Sequence, residues 1–162
     1  MKFKDILKNK ALLEKEVPAE ILKMLGLEKK RFEYGERYCF VSGNGNIFWT
    51  WWENNDFDTY QLKHNNAFHT EKEAEFEIEK QEVLAELRQF AEENNGEIEW
   101  KNKEQLKWYI FYYLLNEEIG YGNNTVCENA NVIYFTSEEL AEQAVAKVGE
   151  ERLKKYLFGV EV

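Results

Sequence analysis

The chain has 162 residues, of which 44% are hydrophobic and 15% aromatic, and it carries a net charge of −10. That size and composition point to one globular domain with a real core and exclude a disordered chain. The acidity argues against nucleic acid as a partner for the body and favours basic surfaces. No run approaches the ~20 apolar residues of a membrane span.

The charge is uneven. Residues 1–37 hold ten Lys/Arg against seven Asp/Glu, a balance of +3, whereas residues 38–162 hold eleven against twenty-four, a balance of −13. Residues 4–15 read as a helix with Phe3, Ile6, Leu7 and Leu13 on one side. Pro18 suits the first turn of a second short helix through Leu25, and Gly26 suits its end. Residues 1–37 therefore form a helical N-terminal arm or cap, the one segment with the charge to touch phosphate. The N-terminus alternates charged and apolar residues and lacks a continuous apolar stretch, so a cytoplasmic chain is expected, with Cys39 and Cys127 reduced.

Tyr38–Val41 reads as a strand, and Asn44-Gly45 as a two-residue type I′ hairpin turn. Ile47–Trp52 is the returning strand. Both its faces are apolar, which makes it central or covered on both sides. Thr59–Leu62 reads as a third short strand. The longest helix pattern follows over residues 70–95, where Thr70 and Glu73 form a capping box and Asn94-Asn95-Gly96 supplies the stop. Phe76, Val83, Leu84, Leu87, Phe90 and Ala91 make its core-facing stripe.

The segment 107–115 fits either a helix or a buried strand by pattern, and its aromatic and β-branched content favours a strand. Residues 116–118 turn, residues 119–122 return, and residues 131–135 form another strand. Thr136 and Glu139 form a second capping box for a helix reaching Gly149, and residues 150–157 add a last turn or two. The fold class is α+β. Antiparallel aromatic-rich sheets are each followed by a capped helix, in two ββ(β)α-type units at about 38–95 and 97–162.

One surface feature hints at a job. Glu71, Glu75, Glu79, Glu82, Glu86 and Glu93 project onto an arc of about 80° beside the apolar stripe. From Glu71 to Glu86 five of them rise about 22 Å, one carboxylate per ~5–6 Å, the same order as the ~3.4 Å charge spacing of a DNA strand. Like charges at i,i+4 oppose helix formation by roughly 0.2–0.5 kcal/mol a pair. A row of this kind is either a solvated face or a surface that meets a basic partner. Trp49, Trp51 and Trp52 are candidates for an aromatic patch, although no Lys or Arg interleaves them.

No catalytic, metal or cofactor signature is present. His64 and His69, near Asp56 and Asp58, are too few for a metal site, and Cys39 and Cys127 lack a CxxC partner. The chain is therefore read as a non-enzymatic binding protein without a cofactor.

The stretches HNNAFHTEKEAEFEIEKQEVLAELRQFAEENN and YFTSEELAEQAVAKVGEERLKKYLFGV resemble a pattern in phage and prophage accessory proteins of Gram-positive bacteria. That pattern has an aromatic hairpin, an F-x-T-x-E-E-A-E helix start and a Y-F-S-S-E-E-L-A … K-Y-x-F-G-V ending. It covers about residues 38–160 here, with Lys72 where an acid is usual. The resemblance implies origin on a mobile element, where small acidic proteins counter host defence. It points to an anti-CRISPR-like inhibitor that docks the acidic helix face in the basic groove of a host defence protein, such as a CRISPR effector nuclease. The alternative is a nucleic-acid-binding phage regulator acting through the basic arm.

Overall fold

The computed structural model describes residues 31–160, so the helical arm expected over residues 1–37 lies almost wholly outside the described residues. The chain is α+β. The described residues open with the antiparallel hairpin β1 (Arg37–Val41) and β2 (Ile47–Trp51), followed by helices α1 (Asp56–Lys63) and α2 (Glu71–Asn94). A three-stranded antiparallel sheet comes next, β3 (Lys107–Tyr113), β4 (Glu118–Asn124) and β5 (Tyr134–Phe135), in the order β4-β3-β5. It is followed by α3 (Glu138–Val148) and a short helix α4 (Glu150–Arg152) that widens into a π-helical turn over Leu153–Leu157.

The strand expected at Thr59–Leu62 is instead part of α1. Asn55 caps that helix by accepting the Asp58 N–H, and the Asp58 carboxylate reaches back to the Asn55 N–H. This is a capping box built from Asn and Asp, and it starts a helix where Asn54-Asn55-Asp56 reads as a simple turn. The β1–β2 turn also differs from the two-residue expectation. Only Gly45 has a positive φ, +82°. Its N–H donates to the Ser42 carbonyl, while the Ser42 N–H donates to the Asn46 carbonyl, which makes a three-residue loop closed by a bulge. Asn44 spends its side chain on the Ser42 hydroxyl rather than adopting the left-handed region.

The apolar residues on both faces of β2 are explained by covering, but the strand is not central. Val41, Ile47 and Trp49 pack with Cys39, Phe68 and Ala74 against the start of α2. On the other face Phe32, Tyr38, Trp52 and Ala67 form a second cluster, joined by Phe40 and by Leu62 of α1. β2 is the edge strand, and Phe48 and Trp51 stay 49% and 59% exposed.

The main core joins α2 to the second sheet. Val83, Leu87, Phe90 and Ala91 pack with Phe135, Ala141, Ala144, Val145, Val148 and Leu153. Four of the six residues in the predicted stripe are buried. Leu84 is half-buried, and Phe76 is exposed at the edge, where its ring lies 5.2 Å from that of Tyr156. α2 thus serves both units, its first turns covering the hairpin and its second half packing on α3 and the turn over Leu153–Leu157, which share one core with the three-stranded sheet. Of the segment 107–115, residues 107–113 are strand as expected, while Leu114 and Leu115 lie in the turn and are 82% and 85% exposed. Lys107, fully buried, donates to the carbonyls of Asn102, Gln105 and Thr125 and ties the preceding loop to β3.

The second cap sits one residue later than expected. Ser137, not Thr136, accepts the Leu140 N–H, and the Thr136 N–H goes to Asn95 Oδ1 at 3.0 Å, not to the Glu139 carboxylate of the expected box. Glu139 therefore bonds its own N–H and the Ser137 hydroxyl, which holds its carboxyl below the ordinary range.

Candidate functional site

The capping box at the start of α2 is present. Thr70 Oγ1 accepts the Glu73 N–H at 3.2 Å, and Glu73 Oε2 accepts the N–H groups of His69 and Thr70. These bonds, and the negative side chains near the helix N-terminus, offset part of the repulsion built into the acidic row. At about 1.5 Å per residue the 24-residue helix displays that row, from Glu71 to Glu93, over about 33 Å.

The six carboxylates meet different neighbours. Glu71 Oε1 accepts the Trp49 indole N–H at 2.6 Å. Glu86 receives Arg152 Nη1 at 3.0 and 3.1 Å, and Glu79 lies 3.5 Å from Arg152 Nη2. Glu93 is 3.8 Å from Lys147. Glu75 and Glu82 have no cationic partner among the described residues. The row is therefore anchored at three points and bare at two. Arg152 sits between the two carboxylates that face it, and its bond to Glu86 pushes its guanidinium further toward the charged form. Each exposed pair is worth about 0–1 kcal/mol, so the pairing relieves repulsion more than it builds stability.

Two shallow grooves flank the helix. One, of about 600 Å³, is lined by Glu75, Glu79, Phe76, Lys72, Lys155 and Tyr156. The other, of about 460 Å³, runs between α2, the tip of the hairpin and the end of α1, with Glu77, Glu82, Gln81, Tyr60, His64 and Phe68 among its walls.

The structure does not bring Trp49, Trp51 and Trp52 together as one patch. Alternation along β2 sends Trp49 and Trp51 to the α2 face and Trp52 to the other. Trp52 is buried against Phe32, with its indole N–H on Asn54. Trp49 lies between two charges, with the Arg37 guanidinium 4.6 Å from its ring centre and Glu71 on its N–H. Trp51 is the exposed one.

The histidines are held apart. His64 Nδ1 is 2.8 Å from the Tyr60 carbonyl, and His69 Nδ1 is 3.1 Å from Glu36. Asp58 is buried as the acceptor of the Tyr38 hydroxyl at 2.8 Å and of the Glu53 N–H at 2.7 Å. No group of three or more His, Cys, Asp or Glu positioned for a metal occurs among the described residues.

A second acidic group was not singled out from the sequence. Burial, then the charges of Glu142, Glu150 and Glu138, push the Tyr121 hydroxyl pKa up. Glu138 and Glu142 are four residues apart on α3, a spacing that a helical wheel of α3 displays as readily as that of α2. Comparison with known proteins finds no matching family model, no matching curated protein and no matching solved structure.

Proposed function

We infer that the chain is an acidic accessory protein that binds and does not catalyse. Its α2 carboxylates dock in the basic groove of a nucleic-acid-dependent host defence protein, in the place the nucleic acid would take. The observation that carries this reading is the α2 flank itself: six carboxylates in one row, with Arg152 and Lys147 as its only ion-pair partners among the described residues. The net charge of −10 and the resemblance to phage accessory proteins support the same reading. The attraction is electrostatic, so it speeds encounter and weakens with salt, whose screening length is about 8 Å at physiological strength.

The structure dictates which charges to reverse. Glu71, Glu79 and Glu86 hold Trp49 and Arg152, so changing them disturbs the fold. Glu75→Lys, Glu82→Lys and Glu93→Lys together spare those contacts. The tagged chain is incubated with a nuclease-treated bacterial lysate. The expected result is a protein partner that is held at low salt, stripped at high salt, and lost with the triple variant, which stays folded and gives up only the exposed Glu93–Lys147 pair, worth about 0–1 kcal/mol. Equal retention by the triple variant would overturn the reading.

A further inference from the structure

The three-stranded sheet has a second face that none of the described helices covers, although at one end the loop before β3 buries Lys107 and Trp100 packs on the buried Tyr134. The even-numbered residues of β3, Trp108 and Ile110, pack with Ile119 and Tyr121 onto the main core below α2 and α3. Alternation therefore places Tyr109, Phe111 and Tyr113 on the opposite face, joined by Tyr134 of β5, which pairs with Tyr109. Trp100 extends the row. Successive ring centres from Trp100 through Tyr134, Tyr109 and Phe111 to Tyr113 are 5.1, 5.9, 6.3 and 6.5 Å apart.

Two rings of this ladder lean across β4 over glycines. A Cβ at Gly120 would come within 2.6 Å of the Phe111 ring, and one at Gly122 within 2.7 Å of the Tyr109 ring. Each ring has glycine beneath it and its other side turned away from the sheet. Covering edge glycines is a structural use of those two rings. It does not account for Trp100 and Tyr113, which prolong the row at either end and are 38% and 44% exposed.

We propose that this ladder is a binding platform for an extended, arginine-bearing peptide segment. The spacing fits. Every second side chain of an extended strand repeats at about 6.6 Å, and the rings along β3 repeat at 6.3 and 6.5 Å. The charge fits a cation and not a phosphate chain, because the molecule carries −10 and Glu118 stands directly across from Tyr113 on the same face. The molecule already contains the contact twice, in the Arg31 guanidinium over the Phe32 ring and the Arg37 guanidinium over the Trp49 ring, the latter with Glu71 on the indole N–H. Lys107 Nζ lies 5.9 Å from the Trp100 ring centre at one end of the ladder, and among the described residues no cation lies over the three β3 rings, which are the part left for a partner. Guanidinium groups stack on aromatic faces better than ammonium groups do, so the platform selects arginine over lysine. The ladder lies on the side of the sheet away from α2, so this site stands or falls separately from the acidic row.

The test is calorimetric titration of the full chain with a short synthetic peptide alternating arginine and threonine. It is run on the Glu75→Lys, Glu82→Lys, Glu93→Lys background to remove attraction to α2. Binding is expected, with the lysine version of the peptide about fivefold weaker. Tyr113→Ser, at an exposed end of the row, and Phe111→Leu, which keeps an apolar cover on Gly120, should each weaken binding by about three- to tenfold. No binding would overturn the proposal, as would equal affinity for both peptides, preference for an oligothymidylate, or unchanged affinity in both ring variants.

Discussion

The β1–β2 hairpin and the β3–β4–β5 sheet close one edge with the same device and leave their faces in opposite states. In the first, Asn66 donates to the Val41 carbonyl and accepts the Val41 N–H, beside the Cys39–Phe68 backbone pair. In the second, Asn95 donates to the Tyr134 carbonyl and accepts the Thr136 N–H. A side-chain amide thus stands in for a missing strand in both places, satisfying backbone groups that would otherwise be unpaired. The faces diverge because of α1. That helix follows the first hairpin and helps to cover the face holding Tyr38 and Phe40. The second sheet has no such helix among the described residues, and its ladder runs from the buried Tyr134 through the half-buried Tyr109 and Phe111 to the exposed Tyr113. One aromatic hairpin packs on both faces and leaves Phe48 and Trp51 exposed at its edge strand, and the other has one face that no described helix covers.

Breaking the packing of the first hairpin should have the largest effect. Asp58 accepts from the Tyr38 hydroxyl and two backbone N–H groups while fully buried, so Asp58→Ala should cost about 3 kcal/mol in urea unfolding. Hydrogen exchange should rise in β1 before β3. Filling the platform from below is the next largest. Gly120→Val should cost about 1–3 kcal/mol by forcing the Phe111 ring aside, and much less in a Phe111→Ala background. The edge devices should be alike, with Asn66→Ala and Asn95→Ala each losing about 1–2 kcal/mol.

The smallest effect at neutral pH belongs to Tyr38→Phe, at about 1 kcal/mol. Its value lies in alkali. Burial first, then the hydrogen bond and charge of Asp58, hold the Tyr38 hydroxyl pKa well above its ordinary 10.0. A folded pKa above the unfolded one gives stability that is fully present below pH 10 and lost as the pH rises from there toward the folded pKa. Unfolding at about pH 8 and about pH 11 should show this loss in the parent and a flatter profile in Tyr38→Phe.

Much of this architecture is legible in the amino acids. The Thr70 cap, the long helix and the β3–β4 pair follow from capping residues and aromatic content. α1 is not, because an eight-residue helix with an Asn–Asp box and little apolar periodicity looks like a turn followed by a strand. The anchoring of the acidic row is also hidden, since Arg152 lies 66 residues from Glu86 and only packing brings them together. The ladder is half-visible. Every residue of β3 after Lys107 is aromatic or apolar, so alternation does not reveal which face is open. The glycines at 120 and 122, opposite Phe111 and Tyr109, mark it once the register is known.

Competition is the most direct test of the proposed docking. The partner captured from lysate is bound to the chain, and a duplex oligonucleotide is titrated in at fixed low salt. If the α2 carboxylates occupy a nucleic-acid groove, the oligonucleotide displaces the chain, and displacement needs less oligonucleotide as Glu75 and Glu82 are changed to lysine. A complex that ignores the oligonucleotide while the partner binds it elsewhere would contradict the reading.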